Sequence, residues 1–110
     1  MITLLLTSSP CIEGTPEINH KNGFKRLMLL NSHKRMSCTY ITATPDDYHE
    51  NDGHVSAFRD MLERIGFTFR QFRGLDRRNI RMAREIVLDS DMLILGGGHV
   101  PTQNKFFMEM

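Results

Sequence analysis

Three consecutive glycines, Gly96-Gly97-Gly98, follow the apolar run Met92 to Leu95 and lead into His99-Val100-Pro101-Thr102-Gln103-Asn104. Glycines at the end of a strand leave backbone N–H groups uncovered, and such groups bind anions or stabilise an oxyanion. In open α/β sheets ligands sit beyond the carboxyl ends of the strands, where this run falls. The plain alternative is a tight strand-to-helix turn that needs glycine for its geometry. Spacing alone leaves both open. A dinucleotide site fits poorly, because G-x-G-x-x-G would put its third glycine at Pro101. No G-K-[ST] is present, so there is no P-loop.

A second group of chemically capable residues is Asp46-Asp47-Tyr48-His49-Glu50-Asn51-Asp52-Gly53-His54. An EF-hand aligned on Gly53 would need ligands at Tyr48 and Arg59, which cannot serve. The two histidines do not match H-E-x-x-H. The stretch reads as a solvated acidic loop, Asp46 to Gly53, feeding a helix with Asp52 near its N-terminus. No metal and no cofactor are expected. Nucleophile motifs are absent: there is no G-x-S-x-G, and Ser8, Ser9, Ser32, Ser37, Ser56 and Ser90 lack an elbow context. Cys11 and Cys38 do not make a disulfide framework.

These groups need elements to hold them. Ile2 to Thr7 is apolar on both faces and reads as a buried strand. A loop with one proline and one glycine follows, Cys11 to Lys21, directly after Pro10. Phe24, Leu27, Met28 and Leu30 lie near helical spacing, with Asn22 as the N-cap candidate. The β-branched stretch Cys38 to Thr44 predicts a second strand, closed by Pro45. Val55, Phe58, Leu62 and Ile65 form one helical stripe, stopped by Gly66. Phe67 and Phe69 alternate with Thr68 and Arg70 as a third strand with one wet face. Ile80, Ala83 and Val87 mark another helix, Met92 to Leu95 a fourth strand, and Thr102 to Met110 the start of a last helix. Strand and helix in alternation predict an α/β fold: a parallel sheet with helices on both faces.

The chain has 110 residues, 40% hydrophobic and 25% charged, with a net charge of +1. These are ordinary globular values for at most one small domain. The near-neutral charge gives no case for nucleic acid or an anionic membrane. The basic pairs Lys25-Arg26, Lys34-Arg35 and Arg77-Arg78 read as solvated helix ends. No segment approaches the roughly 18 apolar residues of a spanning helix, and Ile2 to Leu6 is too short for a signal sequence. A cytoplasmic location is expected. The last helix stops with Phe106 and Phe107 in need of a partner surface, so the chain reads as an incomplete domain, or as a remnant that pairs with a second copy.

Three segments together resemble the peptidase S51 group, dipeptidase E-like and type 1 glutamine amidotransferase-like proteins. They are Ile2-Thr-Leu-Leu-Leu-Thr-Ser-Ser-Pro10, Leu75-Asp-Arg-Arg-Asn79, and Leu93-Ile-Leu-Gly-Gly-Gly-His-Val-Pro-Thr-Gln-Asn104. His99-Val100 stands where more typical members have asparagine-threonine. The resemblance implies a flavodoxin-like sheet, of the class I glutamine amidotransferase type, and a serine nucleophile beyond Met110. Residues 1–110 would then be the N-terminal part of one hydrolytic domain. It also implies oxyanion donors at Gly97 or Gly98. Thr102, Gln103 and Asn104, with His99, would line the pocket of a peptide or small amide substrate. The chain as it stands would be inactive. Two readings from other classes remain: a noncatalytic module binding a small anion, and a homo-oligomerising remnant.

Overall fold

The computed structural model describes residues 17–18, 24–30 and 35–110. The expected first strand, Cys11 and the Asn22 cap lie outside them. The elements are α1 (Phe24–Leu30), β1 (Met36–Ile41), α2 (Tyr48–Arg64), β2 (Phe69–Leu75), a 3-10 turn (Ile80–Met82), α3 (Ala83–Leu88), β3 (Met92–Leu95) and α4 (Val100–Glu109). The three strands form one parallel sheet in the order β2-β1-β3.

Central β1 is buried along its whole length. Alternation sends Met36, Cys38 and Tyr40 to one face, where they pack with Met61 and Leu62 of α2 and with Phe67, Phe69 and Phe72. Met28 and Leu29 of α1 join that cluster. On the opposite face Ile41 packs with Leu75, with Ala83 and Ile86 of α3, and with Phe106 of α4. The expected parallel α/β arrangement with helices on both faces is therefore present. Burial of Cys38 pushes its thiol up to about 12, and the residue is unbridged.

α2 begins earlier than the sequence suggested. Asp47 caps it by accepting from the Glu50 N–H at 3.1 Å, so Tyr48 to Gly53 is helix and not loop. Its end has a concrete cause. Gly66 takes φ +113°, its N–H reaches the Glu63 carbonyl at 3.2 Å, and the Phe67 N–H reaches Leu62 at 3.1 Å. This is the paired bonding of a Schellman motif, in which a left-handed glycine satisfies the last carbonyls.

β2 differs most from expectation. It starts at Phe69 and runs on through Arg70 and Arg73 to Leu75. The pairing steps from Met36↔Phe69 to Ser37↔Gln71, so Arg70 is an extra residue in the strand. That irregularity lets Phe69 and Phe72, three apart, face the same core. β1 ends at Ile41, short of the expected Thr44.

Phe106 is fully buried. It is a core residue within the chain, which corrects its reading as an exposed interface residue. Phe107 is half-buried beside it. The guanidinium of Arg77 lies 5.8 Å from the Phe106 ring centre. Arg77 also pairs with Asp46 at 2.6 Å and with Glu109, tying α4 to the loop after β1. Among the described residues, no helix is long and apolar enough to cross a membrane.

Candidate functional site

β1 leads through α2 to β2 on one side, and β2 leads through α3 to β3 on the other side of β1. The loops after β1 and β3 therefore part company at the carboxyl end of the sheet. Such a switch point opens a crevice in which α/β proteins bind ligands. The glycine loop stands there. Gly96 donates its N–H to the Ile41 carbonyl at 2.8 Å, extending the β3–β1 pairing by one step.

The three glycines have different reasons to be glycine. A Cβ at Gly96 would collide with the Tyr40 hydroxyl, and one at Gly98 would come within 2.8 Å of the Ala43 Cβ. Close packing on the β1 end therefore accounts for both. At Gly97 nothing lies within 4 Å of a Cβ, and its φ is not positive. Neither crowding nor backbone conformation demands glycine at this position. Gly97 and Gly98 are exposed at the start of α4, and their N–H groups donate to no backbone carbonyl among the described residues.

α4 opens with His99 at its N-cap and Pro101 in its first turn, where a missing N–H costs nothing. The His99 Nδ1 lies 2.8 Å from the Thr102 Oγ1. Gln103 donates from Nε2 to the Gly96 carbonyl at 2.6 Å, so its amide holds the loop in place. Asn104 is exposed on α4. The structure thus brings Gly97, Gly98, His99, Thr102 and Gln103 onto one short turn. Asn104 follows in the next residue.

Beneath this turn, Tyr40 is buried between the loop and α2. Its hydroxyl lies 3.4 Å from the His54 Nδ1, and the His54 Nε2 lies 3.8 Å from Glu50. Burial first, and then the Glu50 carboxylate, push the Tyr40 hydroxyl above its ordinary pKa.

A polar network on the other side of the β1 end escaped the sequence reading. Asn51, which is buried, accepts from Thr42 and from Thr44 Oγ1 (2.8 Å) and donates to the Thr44 carbonyl (2.8 Å) and to Asp76 (3.3 Å). All four of its hydrogen-bonding positions are filled. Asp76, also buried, accepts from the Arg78 backbone N–H at 2.9 Å and from Arg78 Nη2 at 2.7 Å. Arg78 bonds Asp52 at 2.6 Å and lies 4.6 Å from the Tyr48 ring centre. The hydrogen bond from Arg78 is the main cause holding the Asp52 carboxyl below its usual range, and the two carboxylates raise Arg78. Arg77 therefore ties the Asp46 loop to α4, and Arg78 ties the Asp76 turn to α2; neither is a solvated helix end. Asp and Arg at separate positions carry no sequence signal of this pairing. Asn51 could have been found, as a polar residue one turn into an amphipathic helix.

A cleft of about 420 Å³ opens beside this network, lined by Asp52, Ser56, Arg73, Gly74, Asp76 and Arg78 among others. It does not reach the glycine loop. Its carboxylates are already engaged by Arg78, so the loop is the better candidate for ligand contact. Among the described residues no group of three or more His, Cys, Asp or Glu side chains could hold a metal ion.

Fold and site together define a parallel α/β unit with a glycine turn at its switch point. Beyond that class the comparisons are silent: no family model, curated protein or solved structure matches the chain.

Proposed function

We propose that this chain supplies the glycine-loop portion of a flavodoxin-like serine hydrolase of the S51 type, acting on a peptide or small amide through an acyl-enzyme. The observation that carries the reading is Gly97: packing explains its two neighbours, and what remains for Gly97 is access to its backbone. Acyl transfer develops negative charge on the former carbonyl oxygen. Fixed N–H donors at the head of a helix stabilise that charge without reorganising. Gly97 and Gly98 take this role. His99 and Thr102, already bonded to each other, present a polar rim to the substrate, with Asn104 behind them. Gln103 holds the loop through Gly96.

The serine and its base are assigned beyond Met110. Donors alone leave only a small residue of the acceleration that a complete triad gives. The 110-residue chain is therefore expected to show no turnover of aspartyl dipeptides above background. The deciding test is the reading frame downstream of the Met110 codon, joined to an assay of its full product. A G-x-S-x-G elbow followed by a histidine, with hydrolysis lost on replacing that serine, supports the proposal. A stop codon at that point sinks it. The glycine turn would then favour the noncatalytic reading, a small-anion-binding module, tested by titration with carboxylates.

A further inference from the structure

We infer that Tyr40 couples the protonation of His54 to the backbone of the glycine loop, making that loop sensitive to pH. This goes beyond the hydrolase reading and does not depend on it. Three contacts in series carry it. His54 is 42% exposed on α2, so its ring exchanges protons with solvent. Its Nδ1 lies 3.4 Å from the Tyr40 hydroxyl. That hydroxyl, on a residue only 3% exposed, is wedged where a side chain on Gly96 would otherwise sit.

With His54 neutral, Nδ1 can accept from the Tyr40 O–H, and Nε2 carries the ring proton toward Glu50, 3.8 Å away. Protonation puts a hydrogen on Nδ1 as well. Tyr40 must then accept, and its own hydrogen must turn away from His54. A buried hydroxyl without an acceptor is costly, so the group moves to find one. What it presses on is Gly96. The residue is tied on both sides, to Ile41 through its N–H at 2.8 Å and to Gln103 of α4 through its carbonyl at 2.6 Å. A small displacement of Tyr40 is thereby passed to the loop and to the head of α4.

Among the described residues, the titratable groups facing His54 are Glu50 on its own helix and Tyr40 on β1. Phe58, tilted against Tyr40 at 5.3 Å, carries no charge, and neither do Met92 and Ile94 of β3, which pack on the same cluster, nor Gly96 beyond them.

The test is a pH titration of the 110-residue chain by ¹H–¹⁵N NMR between about pH 5 and 8, the range in which histidine changes charge. The amides of Gly96, Gly97 and Gly98 should shift with the midpoint of the His54 ring. In a His99→Asn background, which removes the ring beside Gly98, the shift should vanish on Tyr40→Phe and on His54→Gln, the latter leaving the core untouched. It should persist in His99→Asn alone, which keeps a capping residue beside the loop. Glycine amides that stay flat while His54 titrates would overturn the coupling. So would a shift that survives Tyr40→Phe or His54→Gln in that background, or one that disappears with His99.

Discussion

The Tyr40 hydroxyl fills the space that a Cβ on Gly96 would need. One strand thus dictates the residue at the end of its neighbour. Gly96→Ala should destabilise the chain by about 1–3 kcal/mol, the usual cost of overpacking a filled site. Gly97→Ala, with open space around it, should change stability by no more than about 0.5 kcal/mol. Urea denaturation of both variants reads the contrast directly. Equal losses would mean that the loop is packed differently.

Asn51 fills four hydrogen-bonding positions in a buried setting. Asn51→Ala removes the acceptor shared by Thr42 and Thr44 and one of the donors to Asp76, and should cost about 1–3 kcal/mol. Asn51→Asp should not rescue it, because a carboxylate accepts only and would face Asp76. Thermal unfolding of the two variants decides the point, and an Asn51→Asp chain as stable as the parent would refute it.

Phe106→Ala should cost about 3–5 kcal/mol, as for other buried aromatic residues. The loss should not depend on protein concentration. Were Phe106 an interface residue, its removal would instead alter the oligomeric state seen by sedimentation and leave a monomer's stability intact.

Asp52 has its pKa depressed chiefly by the hydrogen bond from Arg78. A depressed carboxylate contributes stability above its unfolded value, about 3.9, and loses it as pH falls through the lower folded value. Arg78→Gln should return the Asp52 carboxyl toward its unfolded value and remove that acid-side dependence. Carbon-detected NMR of the Asp52 side chain measures it, and an unmoved midpoint would discard the pairing. Because the pair is exposed, its effect at neutral pH should be small.

Cys38, with its thiol pushed up to about 12 by burial, should resist alkylation at pH 8 in the native chain. In a Cys11→Ser background, iodoacetamide should label it only when denaturant is added. Rapid labelling of the folded chain would contradict the burial.

Much of this architecture was legible in residue order. The stripe of α2, its Gly66 stop and the four-residue β3 follow from periodicity, because packing and alternation leave direct marks. β2 was not legible past Arg70. An extra residue breaks the alternation there, and Arg73 beyond it reaches the Ile86 carbonyl and Asp89, partners that leave no local pattern. The helical start at Tyr48 was hidden because its cap, Asp47, sits in an acidic run that also suits a loop. Phe106 looked exposed because its cover, Arg77 and the far face of the sheet, lies distant in sequence. Of the site, the glycine turn was visible and the Asn51–Asp76–Arg78 network was not, since partners far apart in sequence leave no local pattern.

The extra residue at Arg70 has a consequence for how this gene can drift. Loss of that single codon leaves Met36 opposite Phe69 and Ser37 opposite Gln71, and brings Phe69 and Phe72 to the ordinary two-residue spacing of one strand face. What disappears with it is the exposed pairing of Arg70 with Asp91 and Asp89. Loss of a codon further along, at Arg73 for example, instead moves every later residue of the strand to the wrong face. Arg70 thus sits where β2 can shorten by a residue and keep its register, a spare letter in an otherwise fixed reading of the sheet.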